Sequence, residues 1–296
     1  PQGSVLGPVL FILFTTDLPH YLGDICKPLM YADDTTLLLN DTSTDELAVT
    51  SYIALNMAFQ YCHGNDLVAN PTKTSQLAFG RCAHNVPVIP DVNMVRETKF
   101  LGLTIDEGLT WNPHLDNICK KLNTSIYVIK QIKSISGDDT AKTAYYSIFE
   151  THVRYGIVVW GGSSGANLQR TLILQKKCIR VLAGLQYLES CKEAFKSLKI
   201  LTVIALYIRE AVMYVDGEDL PRQSDVHKHN TRHAAHYNLP SHHLSLYQKK
   251  PSYSGRKLYN HLPQDLQTKT GKALKTALTK WLLDRPFYTL SEFYNT

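Results

Sequence analysis

The feature that most constrains this chain is a helical pattern of apolar residues that continues for about a hundred residues. It begins at Asn112-Pro113, a favourable helix start, and persists to about Val215. Residues 1–110 instead alternate between short apolar runs and turn signals, as a mixed α/β unit does. The pattern therefore predicts a boundary near Trp111, with an α/β unit before it and a helical unit after it.

A third segment follows the helical run. Between residues 221 and 285, Lys and Arg outnumber Asp and Glu by about four to one, which favours an anionic partner. Residues 221–252 are rich in His, Asn and Pro, as an irregular connection is, and a last helix is predicted over residues 272–283. We therefore predict three domains, 1–110, 111–216 and 217–296.

Cysteine spacing and hydropathy disfavour a disulfide-bonded secreted protein and a membrane protein. The six cysteines are scattered without paired spacing, which predicts reduced thiols in an intracellular compartment. Residues 9–14, the longest apolar run near the start, are too short to span a bilayer and follow no basic region. We expect neither a signal peptide nor a membrane segment.

The histidines between residues 227 and 243 invite a zinc interpretation, since His233 and His236 are spaced as ligands on a helix would be. No cysteine accompanies them, and the intervening Asn, Thr and Pro disfavour a long helix. A basic surface loop is the preferred interpretation.

Two carboxylates, Asp33 and Asp34, fall between two apolar runs, residues 28–31 and 35–39. This pattern predicts a β-hairpin with both carboxylates at its tip. Strand pairing fixes the backbone there, and exposed carboxylates suit hard cations such as Mg²⁺, which enzymes that join nucleotides use in pairs. An Asp-Asp pair alone is more often a solvated turn than a metal site.

Other elements are predicted around this hairpin. Ser4 would cap a helix that ends near Pro19, and Ser43 with Glu46 forms a capping box for a helix to about residue 63. A turn is expected at residues 70–73. Strands are predicted over residues 67–69, 75–79, 86–89 and 99–105.

Four motifs, in order, resemble the reverse transcriptases of non-LTR retrotransposons. They are PQGSVLGPVLF at residues 1–11, YADD at 31–34, NPTKT at 70–74 and FLGL at 100–103. Shorter matches near residues 230–232, 239–240 and 257–263 resemble the tails of jockey-type insect elements. The resemblance implies an α+β fold: a partial palm of antiparallel sheet with helices, an α-helical thumb and a basic C-terminal extension.

The resemblance also implies roles for single residues. Asp33 would be a metal ligand and Asp34 a second acidic group beside it. Gln2 and Gly3 would lie against the incoming nucleotide and the template. Lys73 would be a cation near the phosphates and a candidate general acid for the leaving pyrophosphate, although a surface lysine on a turn has the same appearance.

The FLGL motif implies a primer grip formed by Phe100, Leu101 and Gly102, with plain strand packing as the alternative. Seven basic residues of the helical region could meet the phosphates of a template-primer duplex, or could lie on solvated helix faces. They are Lys120, Lys121, Lys130, Lys133, Lys176, Lys177 and Arg180.

By resemblance, the parent activity is RNA-directed DNA polymerisation, a nucleotidyl transfer that copies an RNA template from a DNA primer with dNTPs. Mg²⁺ is the expected cofactor, with Mn²⁺ as an alternative. Nuclear residence after cytoplasmic synthesis follows from the family's habit of priming on chromosomal DNA. The oligomeric state is left open.

One departure from the family affects the expected activity. The family carries another metal-binding Asp and its fingers before the position of Pro1, and Asp17, Asp24 and Asp41 lie outside any matching motif. We therefore expect a fragment that is inactive alone. The alternative is a non-catalytic nucleic-acid-binding remnant of a decayed mobile element. A cellular relative such as telomerase is disfavoured by residues 1–11 and by the tail.

Overall fold

A computed structural model describes residues 3–226 and 236–296 of the chain. The chain divides into two compact units, Pro1–Gly108 and Leu109–Thr296. Gln2 and three of the histidines that were weighed as zinc ligands, His227, His229 and His233, lie outside the described residues. Helices and small sheets occur together, which agrees with the predicted mixed fold class.

The described part of the first unit contains two short α-helices, one long α-helix and three small sheets. Its helices are α1 (Leu6–Phe14), α2 (Leu18–Leu22) and α3 (Thr44–Gly64). Its strands are β1 (Lys27–Tyr31), β2 (Asp34–Leu38), β3 (Ser75–Gln76), β4 (Asn93–Met94), β5 (Glu97–Phe100) and β6 (Leu103–Asp106). β1 pairs antiparallel with β2 and β5 with β6, whereas β3 and β4 are parallel.

The core of the first unit lies between α2, α3 and the inner face of the β1–β2 hairpin. Leu18, Leu22 and Ala54 are buried there, with Met30 and Leu37 of the hairpin packed against them. In contrast, α1 buries none of its residues, although nearly all of them are apolar. Apolar surface of this kind is typical of a face that another molecule or segment covers.

The N-terminal helix prediction was partly wrong. Ser4 does accept a hydrogen bond from the amide of Gly7 at 3.0 Å, but α1 ends at Phe14 and a second helix begins at Leu18. Pro19 lies in the first turn of that second helix, where its missing N–H is harmless. The capping box predicted for α3 forms in part: the Ser43 side chain accepts from the Glu46 amide, whereas the Ser43 amide donates to the Asp41 carboxylate at 3.0 Å.

Two predicted strands, residues 67–69 and 86–89, do not form, and the strand predicted over 75–79 is reduced to Ser75–Gln76. The Gln76 side chain explains why residues 86–89 form no strand. Its amide donates to Pro87 O at 3.0 Å and accepts from the Ile89 amide at 2.9 Å. A side chain therefore satisfies the backbone groups that a neighbouring strand would otherwise pair.

The second unit is helical, as the pattern over residues 112–215 predicts. Its helices are α4 (Asn112–Ser136), α5 (Asp138–Ala144), α6 (Thr151–Arg154), α7 (Ile157–Trp160), α8 (Gly165–Ala183), α9 (Lys192–Leu198), α10 (Val203–Asp216), α11 (Gln223–Val226), α12 (Pro251–Asn260), α13 (Gln264–Gln267), α14 (Gly271–Leu283) and α15 (Leu290–Tyr294). A π-helix, Tyr145–Glu150, joins α5 to α6. α12 begins at Pro251, so it overlaps only the last two residues of the irregular connection predicted over residues 221–252.

The core of the second unit forms where α4 packs on α8 and where α10 packs on α12 and α14. Trp160, Tyr207 and Tyr259 are among its largest fully buried side chains. Polar residues are buried there too, and Gln175 is one of them. It donates to Tyr145 Oη and to Leu201 O and accepts from the Val203 amide, each at 2.8 Å, so its hydrogen-bonding groups are satisfied.

All six cysteines are free, in agreement with the prediction of reduced thiols. Among the helices of residues 3–226 and 236–296, none combines the length and the apolar content that a bilayer crossing requires.

Candidate active site

The β1–β2 hairpin places Asp33 and Asp34 at its tip, as predicted. Tyr31 pairs with Asp34, so the loop contains two residues, Ala32 and Asp33. Ala32 has a φ of 52°, in the left-handed region that tight hairpin turns require of a loop residue. An alanine there costs about 1 to 3 kcal/mol, and such strain is frequent at functional sites.

The two faces of this hairpin have different environments. Met30 and Leu37 point toward the core and are partly buried, whereas Asp34 and Tyr31 share the outer face. Tyr31 is 67% exposed, and both Asp33 and Asp34 are exposed. The inner apolar face thus fixes the hairpin while its tip presents both carboxylates to solvent.

The two carboxylates at the tip have no side-chain partner in the part of the chain that the structure describes. Neither forms an ion pair or accepts a side-chain hydrogen bond there. Two other aspartates of the unit differ. Asp17 accepts from the Tyr61 hydroxyl, and Asp41 accepts from the Ser43 amide at 3.0 Å, which lowers the pKa of Asp41. Asp17 and Asp41 thus have structural partners, and Asp33 and Asp34 are available to a ligand.

The donor chemistry of Asp33 and Asp34 fits a hard divalent cation, which prefers carboxylate oxygens. Mg²⁺ usually takes one or two carboxylates from a protein and completes its shell with water and substrate phosphates. Within the described ranges, no group of three or more His, Cys, Asp or Glu side chains is placed to hold a metal. The hairpin therefore offers one carboxylate pair, which falls short of a full two-ion ligand set.

Lys73 lies on a separate turn of the first unit. It is exposed and is the last residue of a 3-10 helix, Pro71–Lys73. The side chain of Asn70 starts this turn, since it accepts from the Thr72 amide at 3.0 Å and from the Thr72 hydroxyl at 2.7 Å. The NPTKT motif thus builds a rigid turn that presents a lysine to solvent.

The segment 99–105, predicted as one strand, is instead a hairpin. β5 and β6 pair with Phe100 opposite Leu103, so Leu101 and Gly102 form a two-residue loop. Their φ angles are 46° and 81°, and positive values at both loop positions define a type I′ turn. Leucine is rarely found in such a turn, which explains why the prediction missed it. The proposed primer grip is therefore the tip of a hairpin.

Gly3 has a φ of 88° and would have no atom within 4 Å of an added Cβ. The backbone conformation therefore requires glycine at this exposed position, whereas internal packing does not. Gly3, Lys73 and the Leu101-Gly102 turn lie on segments separate from the Asp33-Asp34 turn.

The basic residues predicted on α4 and α8 separate into two groups. Lys133 donates to Val181 O and Leu182 O, at 3.0 and 2.7 Å, and thus caps the end of α8. The Lys176 Nζ lies 3.5 Å from the Tyr288 ring centroid. Arg180 donates to Glu189 O at 3.3 Å. The other four are exposed and available to an anion: Lys120, Lys121, Lys130 and Lys177.

The segment that carries this hairpin is similar to a known protein family. The model of the family described as reverse transcriptase (RNA-dependent DNA polymerase) matches residues 1–105. That segment contains both the Asp33-Asp34 hairpin and the Leu101-Gly102 turn. No solved structure matches the chain.

The curated relatives include the following three from Drosophila melanogaster. The probable RNA-directed DNA polymerase from transposon BS is 29% identical over 231 residues, 73% of this chain and 26% of that protein. The RNA-directed DNA polymerase from mobile element jockey is 28% identical, over 68% of this chain and 23% of that protein. The probable polymerase from transposon X-element is 23% identical, over 73% and 25%. The chain thus spans about a quarter of these relatives, and the similarity extends beyond residue 105.

Proposed function

We propose that this chain, a relative of the reverse transcriptases of non-LTR retrotransposons, is part of an RNA-directed DNA polymerase and contributes one carboxylate pair to its metal centre. One observation carries the proposal. Asp33 and Asp34 stand exposed at the tip of a fixed hairpin, without an intramolecular partner in the described chain, within the segment that matches the family.

In this proposal the substrates are an RNA template, a DNA primer and dNTPs. Asp33 and Asp34 would hold Mg²⁺ or Mn²⁺, which would activate the attacking hydroxyl and neutralise the leaving pyrophosphate. The protein's own contribution is positional, because the hairpin holds both oxygen donors at fixed places on a strained turn. Residues 1–110 would act as a partial palm, 111–216 as a thumb and 217–296 as an extension.

The other motif residues would bind and orient the substrates. Lys73 would donate hydrogen bonds to phosphate oxygens from its rigid turn, and also serve as an acid for the leaving pyrophosphate. Gly3, with Gln2 before it, would allow the template and nucleotide to approach the backbone closely. The hairpin tip formed by Leu101 and Gly102, next to Phe100, would hold the primer end.

The isolated polypeptide of 296 residues would be catalytically silent. A two-ion centre needs more carboxylates than one pair, and residues 3–226 and 236–296 offer no group of three or more acidic, His or Cys ligands. A second candidate function is non-catalytic nucleic-acid binding, which the exposed lysines of α4 and α8 favour. A nuclear location would follow from priming on chromosomal DNA.

Primer extension with a chimera tests the proposed function. The chimera replaces the matching segment of the jockey polymerase by residues 1–296 of this chain, so that the remaining ligands come from the relative. With an RNA template, a DNA primer and Mg²⁺, we expect the chimera to incorporate dNTPs at a rate that exceeds background by at least about tenfold. The isolated chain should incorporate none, because it lacks the complementary carboxylates.

The chimera with the jockey segment deleted and not replaced serves as the background control. Activity of the chimera no greater than this control, in a protein that is folded by circular dichroism, would contradict the polymerase proposal. Incorporation by the isolated chain would contradict its proposed silence.

A further inference from the structure

A groove of about 1010 Å³ lies between α9, α10 and α14 in the second unit. Two apolar side chains, Met213 and Leu283, contribute to its lining, together with one carboxylate, Asp284. Five lysines also line it: Lys196, Lys199, Lys272, Lys275 and Lys280. Hereafter we call this the lysine groove. Its positive charges exceed its negative ones by a wide margin.

Most of this charge is not neutralised within the protein. Lys196 pairs with the exposed Glu193 at 3.1 Å, one helical turn away. The other four lysines have no carboxylate within 4 Å among the residues that the structure describes. Like charges held together repel one another, so a concave cluster of this kind raises the local concentration of anions.

The packing of α14 fixes the direction of its lysines. Leu274, Leu278 and Leu282 are fully buried and hold one face of the helix against the core. Lys272, Lys275 and Lys280 are exposed on the remaining faces. At 1.5 Å per residue, Lys272 and Lys280 are about 12 Å apart along the axis. This length contains about three to four phosphates of one strand of B-form DNA.

The composition of the groove indicates what it would recognise. Among the described residues no aromatic side chain lines it, so these residues offer no surface on which bases could stack. Its described lining also contains no arginine, the side chain that pairs with carboxylates in a bidentate manner. Lysine ammonium groups bind phosphates as point charges and carry no base specificity.

We propose that the lysine groove binds the phosphodiester backbone of nucleic acid without reading its bases. The groove is separate in sequence from the Asp33-Asp34 hairpin and from the exposed lysines of α4 and α8. The choice of nucleic acid over other anions rests on the proposed function, whereas the binding itself needs no polymerisation.

The charge of Lys199 can be removed from the groove by substitution without disturbing the backbone. It ends α9 with a φ of 55°, a left-handed conformation that Asn adopts more readily than Lys. Its carbonyl accepts from the Tyr146 hydroxyl at 3.2 Å, a contact that involves the backbone and survives substitution. Lys199→Asn should therefore remove one charge without loss of stability. Gln has nearly the helix propensity of Lys and serves for Lys272 and Lys275.

The test measures binding of the full chain to a fluorescent 30-nucleotide single-stranded RNA, by anisotropy, over a range of salt concentrations. Lys199→Asn, Lys272→Gln and Lys275→Gln are combined in one variant. Each phosphate contact contributes about 0.7 to the slope of log K against log salt on single strands, so the slope should fall by about 2. At about 0.1 M salt, this corresponds to binding weaker by about 100-fold.

The matched control removes three exposed lysines outside the groove, by Lys27→Gln, Lys249→Gln and Lys257→Gln. This variant should keep the slope. Equal losses with RNA and DNA of several sequences would support recognition of the backbone. Equal losses in both variants, an unchanged slope in the groove variant, or competition by polyglutamate as strong as by RNA would each overturn the proposal. An inactive polymerase chimera would leave these binding results intact.

Discussion

In the chimera with the jockey polymerase, replacing Asp33 by Asn is expected to lower the rate of dNTP incorporation by about 10³-fold or more. A bound metal ion stabilises the charge of the transition state by several kcal/mol. Each 1.36 kcal/mol of lost stabilisation lowers the rate about tenfold. Asn keeps the size of Asp but loses the charged oxygen that a hard cation needs. The measurement is single-turnover primer extension at saturating Mg²⁺.

The choice of Asp33 excludes misfolding as the cause of a lower incorporation rate. Asp33 is exposed in a hairpin loop and has no partner among the described residues, so its substitution should leave the fold unchanged. Asp24→Asn removes another exposed carboxylate of the same unit and should leave the rate within about twofold, as surface changes away from special features are nearly neutral. A rate for Asp33→Asn above one tenth of the parent's would refute a metal-binding role.

Gly255→Ala is expected to destabilise the second unit by at least about 2 kcal/mol, within the range for overpacked positions. A Cβ at this position of α12 would lie 2.4 Å from Val215 Cγ2 and 2.5 Å from Ala211 O on α10. The second atom belongs to a helix backbone, so α10 and α12 would have to separate. We expect a lower midpoint in urea unfolding and a Tm lower by about 4 to 8 °C.

Gly165→Ala is the matched control. This glycine is the first residue of α8, and an added Cβ would meet no atom within 4 Å. The same substitution should therefore be neutral or slightly stabilising, because alanine favours the helix by up to about 1 kcal/mol. Equal stability of the Gly255→Ala variant and the parent chain would show that the two helices do not approach as closely as described.

Much of the architecture could be predicted from local sequence signals. The start of α4 at Asn112, the cap of α3 at Ser43 and the β1–β2 hairpin each depend on neighbours within a few residues. Local chemistry decides such features, so a pattern in the sequence is sufficient to find them. The Asp33-Asp34 tip was predictable for the same reason.

Features that depend on tertiary contacts were not predictable. α12 contains Gly255, which lowers its helix propensity, and the helix is explained by its close packing on α10. The loop 86–89 is held by the side chain of Gln76, more than ten residues before it. The lysine groove unites Lys196 and Lys272, which are distant in the sequence, so only the folded structure brings them together.

The most direct test of the account is where Mn²⁺ binds on the isolated chain. Paramagnetic broadening of ¹⁵N amide signals should be concentrated around Asp33 and Asp34 and should disappear when both are replaced by Asn. A second adjacent pair, Asp138 and Asp139, provides an internal comparison, because Asp138 already pairs with Lys133 at 3.1 Å. Broadening that persists in the double variant, or that centres on Asp138 and Asp139, would contradict the claim that the hairpin tip is a metal platform.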